Sequence, residues 1–167
     1  MSLSDVLLPR RRLLLAPPLL ALAGCGFELK RAAELHFDSI ALTGFEPRSP
    51  LAQELRTVLE RSITVKEAQA QAQVVLQALS EQRLRRAVAF TASGQVRDIQ
   101  FRLVFRYRAQ TPSERELIPD SKIELIREMT FIESAALGKQ QEEQDLFREM
   151  QSDIVLQVML RLSTIRL

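Results

Sequence analysis

Few residue types in this chain could do chemistry, and each sits in a distinct setting. Cys25 is the only cysteine, and it directly follows Leu22-Ala23-Gly24. Small residues before it would let the backbone enter a peptidase site, and its thiol is a nucleophile. Seven arginines (Arg83, Arg85, Arg86, Arg97, Arg102, Arg106 and Arg108) crowd a stretch in which Asp98 is the only acid. Guanidinium forks suit phosphate because they make two aligned, charge-assisted bonds. The plainer reading is a solvated sheet face paired with Glu81, Glu124 and Glu128. Lys139 follows Ala136-Leu137-Gly138 where a helix is expected to begin, and a cation there opposes the helix dipole. His36, the only histidine, stands beside Asp38 without the nucleophile, base and orienting group that catalysis needs, which argues against an enzyme. With one histidine and one thiol, a zinc site lacks ligands, and Glu142, Glu143 and Asp145 read better as acids near a helix start. No cofactor is expected.

The cysteine closes a recognisable segment. Arg10-Arg11-Arg12 precede an apolar run from Leu13 to Leu22, interrupted by Pro17-Pro18. Such a run of about ten residues is too short to cross a bilayer core of roughly 30 Å. A basic region, a short apolar region and small residues before a cut site make an export signal. The Leu-Ala-Gly-Cys ending resembles bacterial lipoprotein signals. That resemblance implies a signal peptide over 1–24, cleavage before Cys25, and a thioether-linked diacylglycerol plus an N-acyl chain on that cysteine. More than one acyl chain holds a protein to a membrane far more firmly than one. Residues 25–34 then read as a lipidated tether and 35–167 as one domain.

Composition bounds the rest. The chain has 167 residues and a formal charge of +2. The first 24 residues hold three of its 23 basic side chains and one of its 21 acidic ones, so the remainder carries 20 of each and is neutral. Any anionic partner must therefore be met by local charge. A lone cysteine permits no internal disulfide, so the domain is held by its core. Export disfavours a nucleic-acid partner.

The elements that must position these groups read as β-α-β-β-β-α. Leu35–Leu42 is a short apolar strand, and Ser49-Pro50 caps an amphipathic helix over 50–61 with Leu51, Leu55, Val58 and Leu59 on one face. Residues 66–73 read as a loop. From Val74 the even positions Val74, Leu76, Ala78, Leu84, Val88 and Phe90 face the core, with a bulge or bend near 80–83. Ser93-Gly94 makes the turn into the clearest strand, where Ile99, Phe101, Leu103, Phe105 and Tyr107 alternate with Gln100, Arg102, Arg106 and Arg108, Val104 alone breaking the pattern. A long loop with Pro112 and Pro119 spans 109–120, and a fourth strand runs over 121–133, with Arg127 near the edge of its inner face. The last helix, capped near Ser134, carries Leu146, Phe147, Met150, Ile154, Val158 and Leu162 at helical spacing. The expected fold is α+β: a four-stranded, mostly antiparallel sheet with two helices on one face, the first two strands parallel through a right-handed crossover. Its other face would be bare, polar and rich in arginine.

Several ordered pieces carry a resemblance to a family. They are Ala23-Gly24-Cys25-Gly26-Phe27-Glu28-Leu29, Ser49-Pro50-Leu51, Ser93-Gly94-Gln95 with the Asp98–Tyr107 strand, Arg127 to Phe131, Ala136-Leu137-Gly138-Lys139, and the Glu149-Met150 helix ending near Leu162-Ser163-Thr164-Ile165-Arg166. Together they resemble LptE, the lipopolysaccharide-assembly lipoprotein of Gram-negative outer membranes. The resemblance implies a non-enzymatic subunit that forms a heterodimer with LptD, a large β-barrel, plugs its lumen, and helps insert lipopolysaccharide into the outer leaflet. It implies that Lys139 binds lipopolysaccharide. The family's second basic residue falls where this chain has Ala92-Ser93, so Arg85, Arg86 or Arg97 would take that role from nearby. Gly26 in place of an aspartate implies onward transport to the outer membrane. A neighbouring reading is a periplasm-facing lipoprotein that binds an envelope glycolipid or scaffolds another complex.

Overall fold

The computed structural model describes residues 34–131 and 136–167. The expected signal, Cys25, most of the tether and the Ser134 cap lie outside them. The elements are β1 (Ser39–Thr43), α1 (Pro50–Leu59), β2 (Thr64–Lys66), β3 (Val74–Phe90), β4 (Val96–Gln110), β5 (Glu116–Thr130) and α2 (Ala136–Leu162).

The core follows from the alternation in β4. Ile99, Phe101, Leu103, Phe105 and Tyr107 are all at most 1% exposed and belong to one buried cluster with residues of both helices. Phe45, Phe105 and Tyr107 stack in series, with ring centroids 5.8 and 5.2 Å apart. Phe101 meets Phe147 of α2 edge-to-face at 5.3 Å. From α1 come Leu51, Leu55 and Leu59, one per turn, and from α2 come Met150, Ile154, Val158 and Leu162. Ser49 caps α1 as expected: its Oγ accepts from the Ala52 N–H at 3.2 Å, and Pro50 takes the first helical position. The helix ends at Leu59, two residues before the expected limit.

The sheet differs from expectation in strand number. It has five strands in the order β2-β1-β3-β4-β5. β1 pairs in parallel with both β2 and β3, while β3–β4 and β4–β5 are antiparallel, so the sheet is mixed. β2 was invisible because three residues show no periodicity. It forms because β1 offers a free ladder, which the Thr64 N–H enters by donating to the Asp38 carbonyl at 3.0 Å. Part of the expected loop 66–73 is a short 3-10 turn at Gln69–Gln71.

The long loop expected over 109–120 is a second tight hairpin. β4 runs to Gln110 and β5 begins at Glu116. Pro119 is tolerated because β5 is an edge strand and its register slips between the Tyr107 and Ala109 pairings. The two hairpin turns, Thr91–Gln95 and Thr111–Arg115, share one design. In each the threonine N–H donates to the carbonyl four residues on, at 2.8 and 2.9 Å. Its hydroxyl meets the serine two residues on, at 2.8 and 2.9 Å, and accepts from the N–H four residues on, at 3.1 Å in both. The fourth position needs a positive φ; Gly94 supplies it at 82°, and Glu114 is forced to 64°. Left-handed backbone costs a side-chain-bearing residue about 1–2 kcal/mol. Glu114→Gly should therefore raise unfolding stability by about 0.5–1 kcal/mol in urea titration, part of the gain being offset by glycine's unfolded entropy.

One bulge redirects half of β3. Its register against β4 shifts between Ala78 and Ser80. Before the shift, Val74, Leu76 and Ala78 are buried on the helix face, as expected. After it the parity inverts. Arg83 and Arg85 turn toward the helices, whereas Leu84 and Arg86 turn away, opposite Arg102 and Gln100. Leu84 is therefore not core but 48% exposed, and Val88 and Phe90 are exposed as well. The single arginine strip expected from the sequence is split between the two faces.

The face away from the helices carries Arg86, Arg102, Arg106 and Arg108, but it is not purely polar. Leu84 and Ile126, which is 42% exposed, flank Arg102 on either side. Ion pairs and polar contacts occupy most of the rest: Arg102 with Glu124 at 3.2 Å, Arg106 with Asp120, and Arg108 Nε to Gln77 Oε1 at 2.8 Å. A hydrogen bond from Lys122, with the charges of Lys122 and Arg102 behind it, holds Glu124 below the usual carboxylate range.

Candidate functional site

Two of the residues singled out in the sequence meet across the sheet–helix interface. Lys139 lies in the first turn of α2, and Arg85 comes from the helix side of β3 beyond the bulge. Both line a pocket of about 400 Å³ with Phe131, Gln140, Glu143, Gln144 and Phe147. Lys139 Nζ sits 2.7 Å from Glu142, and Arg85 Nε donates to Glu143 at 3.3 Å. Lys139 is only 18% exposed, so it is no free surface lysine. Two cations, two aromatic rings and two side-chain amides thus face one opening, with carboxylates held against the cations.

The local sequence explains the assembly. Lys139, Glu143 and Phe147 recur at i, i+4 and i+8, one stripe of α2. Phe147 is fixed by Phe101 beneath it and by the Arg83 guanidinium, 5.9 Å from its ring centroid. A polar network sets α2 against β3 and α1. Arg83 donates to Gln151 Oε1 at 2.8 Å, and Gln151 Nε2 donates to Glu54 at 2.6 Å and to the Pro50 carbonyl at 3.1 Å. The capping hydroxyl of Ser49 donates to Glu81 of β3 at 2.7 Å. Ser49 and Gln151 are each 6% exposed, and among the described residues no buried side-chain polar atom lacks a partner. Half-satisfied buried networks are costly, so a complete one defines the spacing between α2 and β3, and with it that between Lys139 and Arg85.

The remaining candidates are placed elsewhere. Arg86 is on the opposite face, exposed, and opposite Gln100. Arg97 is the second residue of β4 and is held 2.9 Å from Asp98, outside the pocket lining, although its carbonyl accepts from the Phe131 N–H at 2.7 Å. Cys25 lies outside the described residues. Glu142, Glu143 and Asp145, expected as acids at the helix start, fall beyond the first turn and act as partners of Lys139, Arg85 and Arg148. His36 is exposed. Arg127 emerges at the edge of the helix face, as expected, and pairs with Asp153 of α2 at 3.1 Å. Phe147, expected in the apolar stripe of the last helix, also walls this pocket together with Phe131. The i, i+4, i+8 spacing from Lys139 was the available signal.

What the pocket can do chemically is take an anion flanked by apolar groups. The existing carboxylate pairs are solvent-accessible, and such pairs are worth only about 0–1 kcal/mol. A phosphate offers the same cations more charge and more acceptor oxygens than a carboxylate does.

Known proteins share this architecture. An uncharacterized lipoprotein B from Nitrosomonas europaea superposes with a TM-score of 0.71 at 24% identity, covering 83% of this chain and 90% of that one. A minor lipoprotein from Acinetobacter baumannii gives 0.63 at 15% identity, covering 78% and 93%. The rare lipoprotein B from Shewanella oneidensis gives 0.61 at 21% identity, covering 73% and 93%. At these identities the likeness is one of fold. No curated protein sequence matches the chain. The family model for lipopolysaccharide assembly, LptE, matches residues 37–162, from two residues before β1 to the last residue of α2. The chain therefore belongs to the LptE lipopolysaccharide-assembly family.

Proposed function

We propose that this protein is a non-enzymatic outer-membrane lipoprotein that pairs with the LptD β-barrel, fills its lumen and presents lipopolysaccharide phosphates to the Lys139–Arg85 pocket during insertion at the outer leaflet. The observation that carries the reading is the pocket itself: two cations from different elements, walled by Phe131 and Phe147, in a chain of the lipopolysaccharide-assembly family. Phosphate would bind the cations, and the aromatic walls would take the adjoining apolar part of the lipid. By competing for phosphates that otherwise bind bridging cations, the site would loosen the packing of neighbouring lipids.

The rest of the proposal concerns anchoring. Residues 1–24 are removed, Cys25 carries the diacylglycerol and N-acyl chains, 25–34 tether the body, and 35–167 form the domain. That the structural neighbours are lipoproteins supports this reading. So does the mixed-sign surface, because barrel lumens are polar and a plug must satisfy their groups.

Affinity purification of the tagged protein from native outer membrane should recover a large β-barrel in equal stoichiometry. Recovery of the protein alone would count against the plug. Cys25→Ser should leave the signal uncut and move the protein out of the outer-membrane fraction. An unchanged distribution on sucrose-gradient fractionation would remove the lipid anchor from the account.

A further inference from the structure

The packing stripe of α2 changes character along its length. Toward the end of the helix it reads Ile154, Val158 and Leu162, all 0% exposed. Toward the start the same stripe reads Gln140, Gln144, Phe147 and Gln151, at i, i+4, i+7 and i+11. A helix stripe that packs on a core is ordinarily apolar, so three glutamines in it need a reason. Gln151 has one, since it is buried and bonded to Arg83, Glu54 and Pro50. The side chains of Gln140 and Gln144 have no hydrogen-bond partner among the described residues. Gln144 stands at a second cavity of about 540 Å³, within the roughly 300–1,000 Å³ of small-ligand sites. Gln144 and Phe147 line both this cavity and the Lys139–Arg85 pocket, so the two adjoin. From α1 come Gln53, whose amide also lacks a partner among the described residues, and Thr57. Of the nine residues around the second cavity only Pro50 and Phe147 are apolar. The charged ones are engaged already: Arg83 and Glu54 with Gln151, and Arg148 with Asp145.

We infer that the second cavity binds a sugar esterified to the phosphate, so that the two adjoining cavities together take a sugar phosphate. The inference rests on the phosphate reading of the Lys139–Arg85 pocket and names what lies next to that phosphate. A side-chain amide offers an acceptor and two donors in one plane. A bare cation calls for acceptors only, an anion for donors only, and an acyl chain for neither. A sugar hydroxyl is donor and acceptor at once, which matches the free amides of Gln53 and Gln144. The C–H groups of the sugar ring lie against Phe147, the aromatic wall common to both cavities. Phe131 lines only the first cavity and is left to an acyl chain. An acyl chain in the second cavity would take water from the two amides and return no hydrogen bond, which is the costly way to bury a polar group.

The test titrates the detergent-solubilised full chain with three phosphate monoesters of equal charge, followed by NMR of its amide signals. Glucose 1-phosphate should bind about tenfold tighter than methyl phosphate, the worth of two neutral hydrogen bonds. It should also shift the side-chain amide signals of Gln53 and Gln144. Gln53→Leu should weaken glucose 1-phosphate about threefold and leave methyl phosphate unchanged, because Gln53 lines only the second cavity. Three outcomes would overturn the inference. One is equal affinity for the two esters. Another is a tenfold preference for the sugar that survives Gln53→Leu combined with Gln144→Leu. The third is butyl phosphate shifting the Gln53 amide as strongly as the sugar ester does, which would give the cavity to an acyl chain. Methyl phosphate binding that Lys139→Glu abolishes, with no gain from the sugar, would keep the phosphate pocket and sink this inference alone. No binding of methyl phosphate would sink both.

Discussion

Reversing the charge of both Arg85 and Lys139 should lower affinity for lipopolysaccharide about a hundredfold, read by calorimetry against purified lipid. Each cation would make a charge-assisted bond to phosphate worth about 1.5 kcal/mol at the low end, and about 1.4 kcal/mol is tenfold in affinity. Arg85→Glu and Lys139→Glu should each cost about tenfold, and the two effects should combine without a large coupling if both contact phosphate independently. Stability should move by under about 1 kcal/mol, because one member of each pair, Arg85 and Glu142, is about half exposed and water screens the attraction. Arg86→Glu is the informative control. It sits one residue from Arg85 in sequence but on the opposite face of the sheet, so it should leave lipopolysaccharide binding unchanged. Equal losses from Arg86→Glu and Arg85→Glu would mean that diffuse charge, not the pocket, binds the lipid.

Gly44→Ala should be the most damaging single substitution tested, costing at least about 3 kcal/mol and lowering the melting temperature by about 10 °C. Gly44 has φ of 73°, and a Cβ built there would lie 2.2 Å from the Ala78 carbonyl oxygen. Left-handed backbone alone would cost an alanine about 1–2 kcal/mol. The clash adds to it because the neighbour is backbone, not a pliant side-chain tip. Ala78 cannot retreat easily, since it pairs with Tyr107 immediately before the bulge. The same glycine turns the chain away from the sheet after β1, so its fit ends β1 pairing and leaves the rest of β3 as an edge. Gly138→Ala provides the contrast: nothing lies within 4 Å of the added carbon, so it should be neutral or stabilising by about 0.5–1 kcal/mol. Circular-dichroism melts of the two variants would decide; equal melting temperatures would refute the close-approach argument.

Period and punctuation in the sequence determined much of the body. Ile99, Phe101, Leu103, Phe105 and Tyr107 announce a strand with one buried face, since nothing else has a period of two. Ser49-Pro50 announces a helix start, and the apolar spacing from Leu146 to Leu162 the buried stripe of α2. Those signals are local, so one segment read alone contains them. β2 is a strand only because β1 has a free side. The hairpin around Pro112 and Pro119 depends on β5 lying at the sheet edge, where proline is tolerated. The candidate site was half legible. Lys139 stood out by resemblance and Arg85 by charge, but which arginine faces it was decided by a one-residue bulge at Leu79. Because strand side chains alternate, a slip of one residue exchanges the two faces for everything that follows. The composition of β3 names its arginines, while its pairing with β4 decides that Arg85 enters the pocket and Arg86 does not.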